Sequence, residues 1–343
     1  MKIVVFETEP WARAAWNRMK RDHDVKLLEE FLTSANAGEH SGVEVICTDL
    51  SRLDADTLEK LKNTKLIATR STGVDKIDLE YCVANGISVC NVPAYAEIAV
   101  AEHMFALLLS ISRHLSEAVE RTRKGNFSLD GLMGFDLCGK ILAIVGTGVI
   151  GRHVGKIAKG FGMEVVAFDV RKDERWAAVN GIRYMPLKEA LSMAEIVTLH
   201  VPFTPETQHF INDDHFAMMK EGVVIINTAR GELIDIQALV RALASGKVAA
   251  AGLDVLPEEQ VFLKGIEEPT TLFARGDKQE ILLANHALLR LPNVIVTPHC
   301  GFFTKEAAQR IIDVTIVNIK AFIHGKPQNI FATKTPRHEV KLE

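Results

Sequence analysis

The stretch Ile141–Asp169, ILAIVGTGVIGRHVGKIAKGFGMEVVAFD, has the order of apolar and glycine-rich segments expected of a βαβ unit. It predicts a strand at 141–145, a glycine-rich turn, a helix at 149–161 and a strand at 164–168 that ends on an acid. Such a turn between strand and helix is typical of dinucleotide-binding units. Because the unit begins about 140 residues into the chain, the preceding residues need an explanation of their own.

The glycines of this turn have separate expected roles. Gly146 permits a tight turn, Gly148 leaves room for a pyrophosphate and Gly151 lets the helix pack close to the sheet. The helix N-terminus then presents free N–H groups to the phosphates. Asp169 can accept hydrogen bonds from both ribose hydroxyls and would repel a 2′-phosphate, which favours NAD over NADP. The basic pair at 171–172 leaves the strictness of this preference open.

The composition is that of a globular protein with room for two domains. The chain has 343 residues, of which 48% are hydrophobic and 24% charged, and its net charge of −4 does not favour nucleic acid as a partner. The apolar N-terminal run is too short for a signal peptide, and we find no apolar stretch of membrane-spanning length. The five cysteines form no CxxC pair, so we expect a reducing cytoplasm and no metal site.

The residues before the quoted stretch also alternate between strand and helix patterns, which indicates a parallel sheet. The expected strands are 2–6, 43–48, 65–70 and 87–92, and the expected helices are 11–32, 55–61 and 79–85. A single long helix is predicted at 97–124, before Gly125. Its wide apolar face fits either a core helix that links two domains or a subunit contact, and the second alternative would make a homodimer.

A second alternation follows the quoted stretch and predicts a doubly wound sheet. The expected strands are 195–200, 222–227, 249–254 and 293–297, and the expected helices are 235–244 and 304–324. The segment between Pro257 and Pro292 is less regular. The fold class is therefore α/β with two doubly wound parallel-sheet domains.

Three residues near the predicted strand ends form a candidate catalytic set: Arg230, Glu259 and His299. Taken alone, each residue also has an ordinary interpretation: Arg230 as a surface arginine on a turn, Glu259 as a solvated loop acid and His299 as a structural histidine. Together they match what a nicotinamide enzyme needs to reduce a 2-keto acid. The guanidinium can hold a carboxylate with two hydrogen bonds, the imidazole can donate a proton, and a nearby carboxylate favours the imidazolium form.

Three motifs of the chain together resemble one family. GTGVIG at 146–151, NTARGELIDIQALVRALASGKVAAAGLDV at 227–255 and PNVIVTPHCGFFT at 292–304 resemble the D-isomer-specific 2-hydroxyacid dehydrogenases. The likeness covers roughly residues 1–331. NVPAYAEIAVAEH at 91–103 and the aromatic pair at 302–303 are similar to the D-lactate dehydrogenases of that family.

The resemblance implies a particular domain arrangement. A Rossmann-type NAD-binding domain at 99–298 would be inserted into a flavodoxin-like substrate domain made of 1–98 and 299–331, with a cleft between the two. A polar tail would follow at 332–343. This arrangement explains why the quoted stretch begins so late in the chain.

The resemblance also implies residue roles. Arg230 would bind the substrate carboxylate and His299 would be the proton donor. Glu259 would pair with His299, although its sequence neighbour Glu258 is an alternative for this role. Contacts to NAD would come from Gly146, Gly148, Val149, Ile150, Gly151, Asp169, Val201, Pro202, Thr207, Thr228, Ala229, Arg230 and Asp254. Contacts to the substrate would come from Thr72, Gly73, Tyr95, Arg230, His299 and Phe302. Tyr95 has a plain alternative as a packed aromatic residue between domains.

The expected activity is reversible, NAD-dependent reduction of a small 2-keto acid, with pyruvate and D-lactate as the pair. Two alternatives stay open: a bulkier, phenylpyruvate-type substrate, and a non-catalytic protein that senses NADH and recruits partners. Cys300 and Gly301 replace the larger residue and the alanine that lactate-type members often have, which leaves the substrate size open.

Overall fold

The computed structural model describes residues 1–259 and 279–332 and divides the chain into two compact units. One consists of Met1–Tyr95 and the described part of Thr304–Glu343, and the other is Ala96–Phe303. The second unit is thus inserted between two segments of the first. The domain limits expected from the sequence, 98/99 and 298/299, lie within a few residues of these bounds. Of the expected polar tail, only its first residue, Ala332, is among the described residues.

The first unit contains a six-stranded sheet in the order β2-β1-β3-β4-β5-β13, parallel except for β13. Its strands are β1 (Lys2–Val5), β2 (Asp24–Leu27), β3 (Val45–Thr48), β4 (Leu66–Thr69), β5 (Ser88–Cys90) and β13 (Ile330–Ala332). Its α-helices are α1 (Arg13–Met19), α2 (Ala55–Leu58), α3 (Leu79–Asn85) and α12 (Lys305–Ile323). The order of the first five strands is that of flavodoxin-like sheets. All residues of β3 and β4 are buried, as expected of central parallel strands covered on both faces.

The second unit contains a seven-stranded parallel sheet in the order β8-β7-β6-β9-β10-β11-β12. Its strands are β6 (Ile141–Val145), β7 (Glu164–Phe168), β8 (Arg183–Tyr184), β9 (Ile196–Leu199), β10 (Val223–Asn227), β11 (Val248–Leu253) and β12 (Val294–Val296). Its α-helices are α4 (Glu97–Ser112), α5 (Leu115–Arg123), α6 (Val149–Gly160), α7 (Glu174–Asn180), α8 (Leu187–Met193), α9 (Asp213–Met218), α10 (Ile236–Ala244) and α11 (Gln279–Leu288). The order of its first six strands is that of a Rossmann sheet, with one strand added at the edge. The α/β fold class predicted from the sequence is confirmed.

The prediction of one helix at 97–124 is wrong, because the chain bends by 62° between α4 and α5. His114 adopts a left-handed conformation with φ of 46°. The carbonyl of Ser112 accepts a 3.0 Å hydrogen bond from the amide of Phe135, so it does not continue the helix. Helix α4 is a core helix with eight buried residues, whereas α5 buries none. Gly125, with φ of 77°, follows the end of α5 as expected.

Among the described residues, no single helix combines the length and apolar character needed to cross a membrane. Helices α4 and α5 taken together meet the criteria of length and composition alone.

The prediction of a helix at 11–32 is also wrong over its second half. Helix α1 ends at Met19, and Asp24–Leu27 forms β2, in which Val25 is buried beside β1. The polar sequence between them contains too few apolar residues to continue a helix face. Six further elements were not predicted: α7, β8, α8, α9, α11 and β13. The less regular segment between Pro257 and Pro292 thus contains a helix, and its residues 260–278 lie outside the described part.

Strand register brings the ends of β10, β11 and β12 to one level. Asn227 is paired with Leu253, and Leu253 with Val296. Because parallel strands end at the same edge of a sheet, the residues that follow these three positions emerge side by side.

Candidate active site

The glycine-rich turn after β6 forms a cradle shaped by close backbone contacts. Gly146 has φ of 98°, and a Cβ there would lie 2.8 Å from backbone atoms of His200 and Val201. A Cβ at Gly151 would lie 2.1 Å from the carbonyl oxygen of Gly146. Gly148, by contrast, begins α6 and would have nothing within 4 Å of an added Cβ. The backbone therefore leaves an open space at the N-terminus of α6, which fits the diphosphate of a dinucleotide.

Two apolar residues follow Gly148 in the first turn of α6. Val149 is 58% exposed, while Ile150 is half-buried and packs against the core. Val149 can therefore lie along a bound ligand without any rearrangement of the fold, and Ile150 anchors the turn.

The carboxylate of Asp169 is held in a fixed orientation after β7. Its Oδ2 accepts hydrogen bonds from the amide of Thr147 at 2.6 Å and from its hydroxyl at 3.0 Å. Oδ1 accepts from the amide of Arg171 at 2.8 Å. The hydroxyl of Tyr184 is 2.6 Å from that of Thr147 and donates to it, since the threonine hydrogen is already engaged. Thr147 and Tyr184 were not singled out from the sequence, although Thr147 lies inside the glycine motif.

The loop after β9 carries three of the residues predicted to contact the cofactor. Val201 packs against the core, while Pro202 is exposed. The hydroxyl of Thr207 donates to the carbonyl of Pro202 at 2.8 Å and accepts from the amide of Thr204 at 2.8 Å. Thr207 therefore folds this loop back on itself. Just before it, burial lowers the pKa of His200 to about 3.

The loop after β10 is organised by a buried asparagine that was not predicted. Nδ2 of Asn227 donates to the carbonyl of Arg230 at 2.8 Å, and its Oδ1 accepts from the amide of Ala229 at 3.0 Å. Nη1 of Arg230 donates to the carbonyl of Ala229 at 2.8 Å. The buried hydroxyl of Thr228 has no hydrogen-bond partner among the described residues. Such an unsatisfied group is expected where a ligand supplies the partner, and Thr228 was predicted to approach the nicotinamide half.

His299 and Glu259 form a close pair beyond the ends of β12 and β11. Nδ1 of His299 lies 2.7 Å from Oε1 of Glu259, and because a carboxylate only accepts, the imidazole donates. Both side chains are partly exposed. Of the two adjacent glutamates, Glu259 makes this contact, and its role in the reaction stays a prediction. His299 has φ of 52°, an uncommon conformation outside glycine.

Asp254 organises the loop that contains His299. Its backbone carbonyl accepts the amide of His299 at 2.9 Å. Its buried carboxylate accepts hydrogen bonds from the hydroxyl of Thr297 at 2.6 Å and from the amides of Cys300 and Gly301 at 3.0 and 2.8 Å. These contacts hold the left-handed residue in place.

The same carboxylate faces a histidine of α4. Nε2 of His103 lies 3.2 Å from Oδ1 of Asp254 and 3.0 Å from the hydroxyl of Thr297. Burial alone would raise the pKa of Asp254, but the hydrogen bonds from His103, Thr297 and Gly301 outweigh it, so this pKa is lowered. His103 and Thr297 were not predicted as site residues, although His103 is the last residue of the stretch NVPAYAEIAVAEH quoted above.

Arg230 and Glu259 lie near the same third group, the carboxyl of Glu232. Burial is the main reason that the pKa of Glu232 is raised, and the negative charge of Glu259 adds to the rise while Arg230 opposes it. One edge of the sheet thus carries a cation and a carboxylate–imidazole pair. This set can bind an anion and transfer a proton.

Phe302 lies beside this pair. Its ring centroid is 6.4 Å from that of His299 in an edge-to-face arrangement, and it contacts Phe303 in the same way at 5.9 Å. Aromatic surface is therefore close to the imidazole.

Thr72, Gly73 and Tyr95 belong to the first unit, where they are fixed by local hydrogen bonds. The hydroxyl of Thr72 donates to Val92 O at 2.8 Å, and Nδ2 of Asn91 donates to Thr72 O at 2.7 Å. The carbonyl of Gly73 accepts the hydroxyl of Ser71 at 2.7 Å. Nε of Arg310 donates to the carbonyl of Tyr95 at 2.8 Å. The loop after β4 is thus tied to residues 91 and 92 by two hydrogen bonds.

Comparisons with known proteins agree with this architecture. The family model described as D-isomer specific 2-hydroxyacid dehydrogenase, NAD binding domain, matches residues 105–301. An aromatic 2-oxoacid reductase of Clostridium sporogenes is 38% identical over 94% of this chain and 96% of its own length. A D-lactate dehydrogenase of Escherichia coli is 35% identical over 95% of this chain and 98% of its own. The solved D-lactate dehydrogenase of Aquifex aeolicus, complexed with NAD and lactic acid, superposes with a TM-score of 0.87 at 33% identity and covers 98% of this chain and 100% of its own.

Proposed function

The chain belongs to the D-isomer-specific 2-hydroxyacid dehydrogenases, which are NAD-dependent oxidoreductases, and from this premise we propose that its substrates are pyruvate and D-lactate. The observation that carries the proposal is the 2.7 Å contact between His299 and Glu259 at the sheet edge that also carries Arg230. Relatives named D-lactate dehydrogenase support the choice of substrate.

In this proposal Arg230 holds the substrate carboxylate through its planar, two-pronged guanidinium. His299 donates a proton to the carbonyl oxygen during reduction and removes it from the hydroxyl during oxidation. Glu259 accepts from Nδ1, which orients the ring and stabilises its charged form, so that Nε2 carries the transferable proton. Bound NADH supplies the hydride that C2 of the substrate receives.

The cofactor contacts follow from the cradle and the loops around it. The open backbone at Gly148 receives the diphosphate, and Asp169 accepts the ribose hydroxyls. The unsatisfied hydroxyl of Thr228 supports a place for it near the nicotinamide half, along with Ala229. Asp254 acts there chiefly as a positioning residue, since its carboxylate is engaged by the 297–301 loop.

Thr72, Gly73 and Tyr95 of the first unit remain proposed substrate contacts. The hydrogen bonds that fix the loop after β4 support this role, because a rigid loop can present its backbone N–H groups in a constant geometry.

A second candidate substrate is an aromatic 2-keto acid. The edge-to-face rings of Phe302 and Phe303 beside His299 favour it, and so does the relative named aromatic 2-oxoacid reductase. Aromatic pairs of this kind contribute about 0.5–1.5 kcal/mol beyond burial, which corresponds to a preference of about 2- to 12-fold.

A panel of 2-keto acids with NADH and with NADPH tests the proposal. Turnover is monitored by the loss of NADH absorbance. We expect pyruvate to give the highest kcat/KM. A higher kcat/KM for phenylpyruvate would replace pyruvate with the aromatic candidate. Binding of NADH without its consumption by any 2-keto acid would indicate a sensor instead of an enzyme.

Two variants test the assigned roles. His299→Ala should lower the rate of pyruvate reduction by about 10²–10⁴-fold while the Kd for NADH stays nearly constant. Arg230→Lys should raise the KM for pyruvate and lower kcat, because a point charge cannot replace the planar fork. Near-normal turnover of the first variant, or an unchanged pyruvate KM in the second, would contradict the assignment.

We further propose a cytoplasmic homodimer that forms through the α4–α5 region. Large apolar side chains are exposed on α5 and the segment after it: Leu115, Val119, Phe127, Leu129 and Met133. A second copy that covered them would remove this apolar surface from water. The five cysteines are free thiols, which is compatible with a reducing compartment. Sedimentation of the wild type and of Phe127→Ser tests the dimer, and cell fractionation tests the location.

A further inference from the structure

His103, Asp254 and Cys300 bring three different metal-ligating groups together from separate parts of the second unit. One ligand atom of each residue lies within 4.8 Å of the others. Nε2 of His103 is 3.2 Å from Oδ1 of Asp254. The three residues lie on α4, after β11 and after β12, so the tertiary fold, and no local sequence motif, creates the cluster.

We propose that these three residues form a binding site for Zn²⁺ that the protein's own reaction does not require. Thiolate, imidazole and carboxylate are the ligands that Zn²⁺ takes in proteins, and three protein ligands leave a fourth position for water. In a tetrahedral site with Zn–N of about 2.0 Å and Zn–S of about 2.3 Å, ligand atoms are roughly 3.2–3.8 Å apart. His103 and Asp254 already meet this spacing, and the thiol of Cys300 needs to approach by no more than about 1 Å.

The carboxylate of Asp254 is oriented by hydrogen bonds, as carboxylates that bind metals usually are. The hydroxyl of Thr297 and the amides of Cys300 and Gly301 donate to its carboxylate and fix its orientation. Such outer contacts typically orient metal ligands and increase metal affinity. A metal ion would take the place of the hydrogen bond that now joins His103 to this carboxylate.

The proposed metal site also gives a reason for the neighbouring residues Cys300 and Gly301, which the dehydrogenase reaction does not explain. A Cβ at Gly301 would lie 2.8 Å from Oδ2 of Asp254 and 3.1 Å from Cδ2 of His103. Glycine therefore leaves the carboxylate and the imidazole the room to stay adjacent. Cys300 supplies the thiol at the neighbouring position.

Metal binding involves the proton of the Cys300 thiol. Burial and the charge of Asp254 raise the pKa of Cys300, so the neutral thiol predominates at neutral pH. Binding of Zn²⁺ forms a metal–sulfur bond and releases the thiol proton to solvent. Neither partner is oxidised or reduced.

Occupancy of the site should inhibit the enzyme, a consequence that rests on the proposed function. The backbone carbonyl of Asp254 accepts the amide of His299, and the ligand Cys300 is the next residue along the chain. Metal binding would therefore constrain the segment that carries the proton donor. It would also occupy space beside Asp254, where the nicotinamide half is proposed to bind.

Metal binding is tested on the full-length protein without cofactor or substrate. Zn²⁺ affinity is measured by competition with a chelating indicator, and Co²⁺ serves as the spectroscopic probe, because a thiolate ligand adds a sulfur-to-cobalt charge-transfer band. The variants are Cys300→Ala, Cys300→Ser and His103→Gln. Cys138→Ala is the matched control, since Cys138 is an exposed thiol of the same unit. Thermal unfolding confirms that each variant is folded.

We expect one Zn²⁺ per chain, with the charge-transfer band present in the wild type and in Cys138→Ala. Loss of Cys300 or His103 should weaken binding by about 100-fold or more and, for Cys300, abolish the band. The proposal is overturned if the wild type does not bind Zn²⁺, if binding survives loss of Cys300, or if the band disappears in Cys138→Ala.

Inhibition is measured separately with pyruvate and NADH. In each protein the rate with Zn²⁺ is divided by the rate of the same protein in metal-free buffer, and in Cys300→Ser this ratio should lose most of its dependence on Zn²⁺. Equal sensitivity of this variant and the wild type would refute the inhibitory consequence. If no 2-keto acid is reduced at all, the proposed function fails, while the binding measurements still decide on the metal site.

Discussion

Nδ1 of His299 and Oε1 of Glu259 are 2.7 Å apart although 40 residues separate them in the chain. The contact leaves Nε2 as the nitrogen that can exchange a proton with a substrate. It also distinguishes Glu259 from Glu258, its sequence neighbour. We therefore expect substitutions of Glu258 and of Glu259 to have different effects on the reaction.

Glu259→Gln should lower kcat for pyruvate reduction by about 10–100-fold, because the amide cannot stabilise the charged imidazole. Glu258→Gln, the neighbouring variant, should lower kcat less than Glu259→Gln does, because Glu259 is the residue that contacts Nδ1 of His299. Steady-state kinetics and NADH titration of both variants provide the measurement. Equal losses in the two variants would show that the observed pair has no special role.

Gly148→Ala and Gly151→Ala should differ in their effects on folding. A Cβ at Gly148 meets nothing within 4 Å, so this variant should unfold at the wild-type temperature but bind NADH more weakly. A Cβ at Gly151 lies 2.1 Å from a carbonyl oxygen, so this variant should lose about 1–3 kcal/mol of stability as well. Calorimetry and NADH binding check both, and an unchanged NADH Kd in Gly148→Ala would argue against a diphosphate at this turn.

Asp169→Ala should reduce the preference for NADH over NADPH. The carboxylate would otherwise accept two ribose hydroxyls, and charged hydrogen bonds contribute about 1.5–3 kcal/mol each. We expect the ratio of kcat/KM values for the two cofactors to fall by at least about tenfold. Tyr184→Phe keeps the charge of Asp169 and loses the hydrogen bonds that the tyrosine hydroxyl makes with the hydroxyl of Thr147 and the amide of Asp173, so it should weaken NADH binding without admitting NADPH. A wild-type cofactor ratio in Asp169→Ala would exclude this carboxylate as the source of the preference.

His200 should contribute to acid sensitivity. Burial lowers its pKa to about 3, so the folded protein resists a proton that the unfolded chain accepts near pH 6.5. The stability associated with the neutral ring is present above that pH and is lost as the pH falls toward 3. Between pH 7 and pH 4 the unfolding free energy of His200→Gln should therefore decrease less than that of the wild type, and the difference should be about a few kcal/mol. Denaturant titrations measure this, with His324→Gln, an exposed histidine, expected to follow the wild type.

The two-sheet architecture could be predicted from the sequence because its signals are local. Strands covered on both faces, such as β6 and β7, appear as continuous apolar runs and match their predicted bounds. Helix α3 also matches, since Asp78 accepts the amide of Tyr81 at its start and Gly86 adopts a left-handed conformation at its end. Short edge strands such as β8 and β13 have too few residues for a pattern to be visible.

The features that were missed depend on contacts between distant parts of the chain. At the break after α4, the amide of Phe135 donates a hydrogen bond to the carbonyl of Ser112. The sequence around Ser112 contains no local signal that predicts this contact. Arg230 and His299 could be placed at strand ends from the sequence. The contact between His103 and Thr297 spans 194 residues and could not be predicted.

The insertion of one unit within the other has a consequence for synthesis on the ribosome. Strand β5 emerges early, but β13, its neighbour at the sheet edge, and helix α12, which packs against β4, are made only after the whole inserted unit. At about 5–20 residues per second, this delay lasts roughly 10–50 seconds. During that time β5 exposes an unpaired edge to other nascent chains. Aggregation of newly made protein should therefore begin in the N-terminal segment, before Ile330 is added.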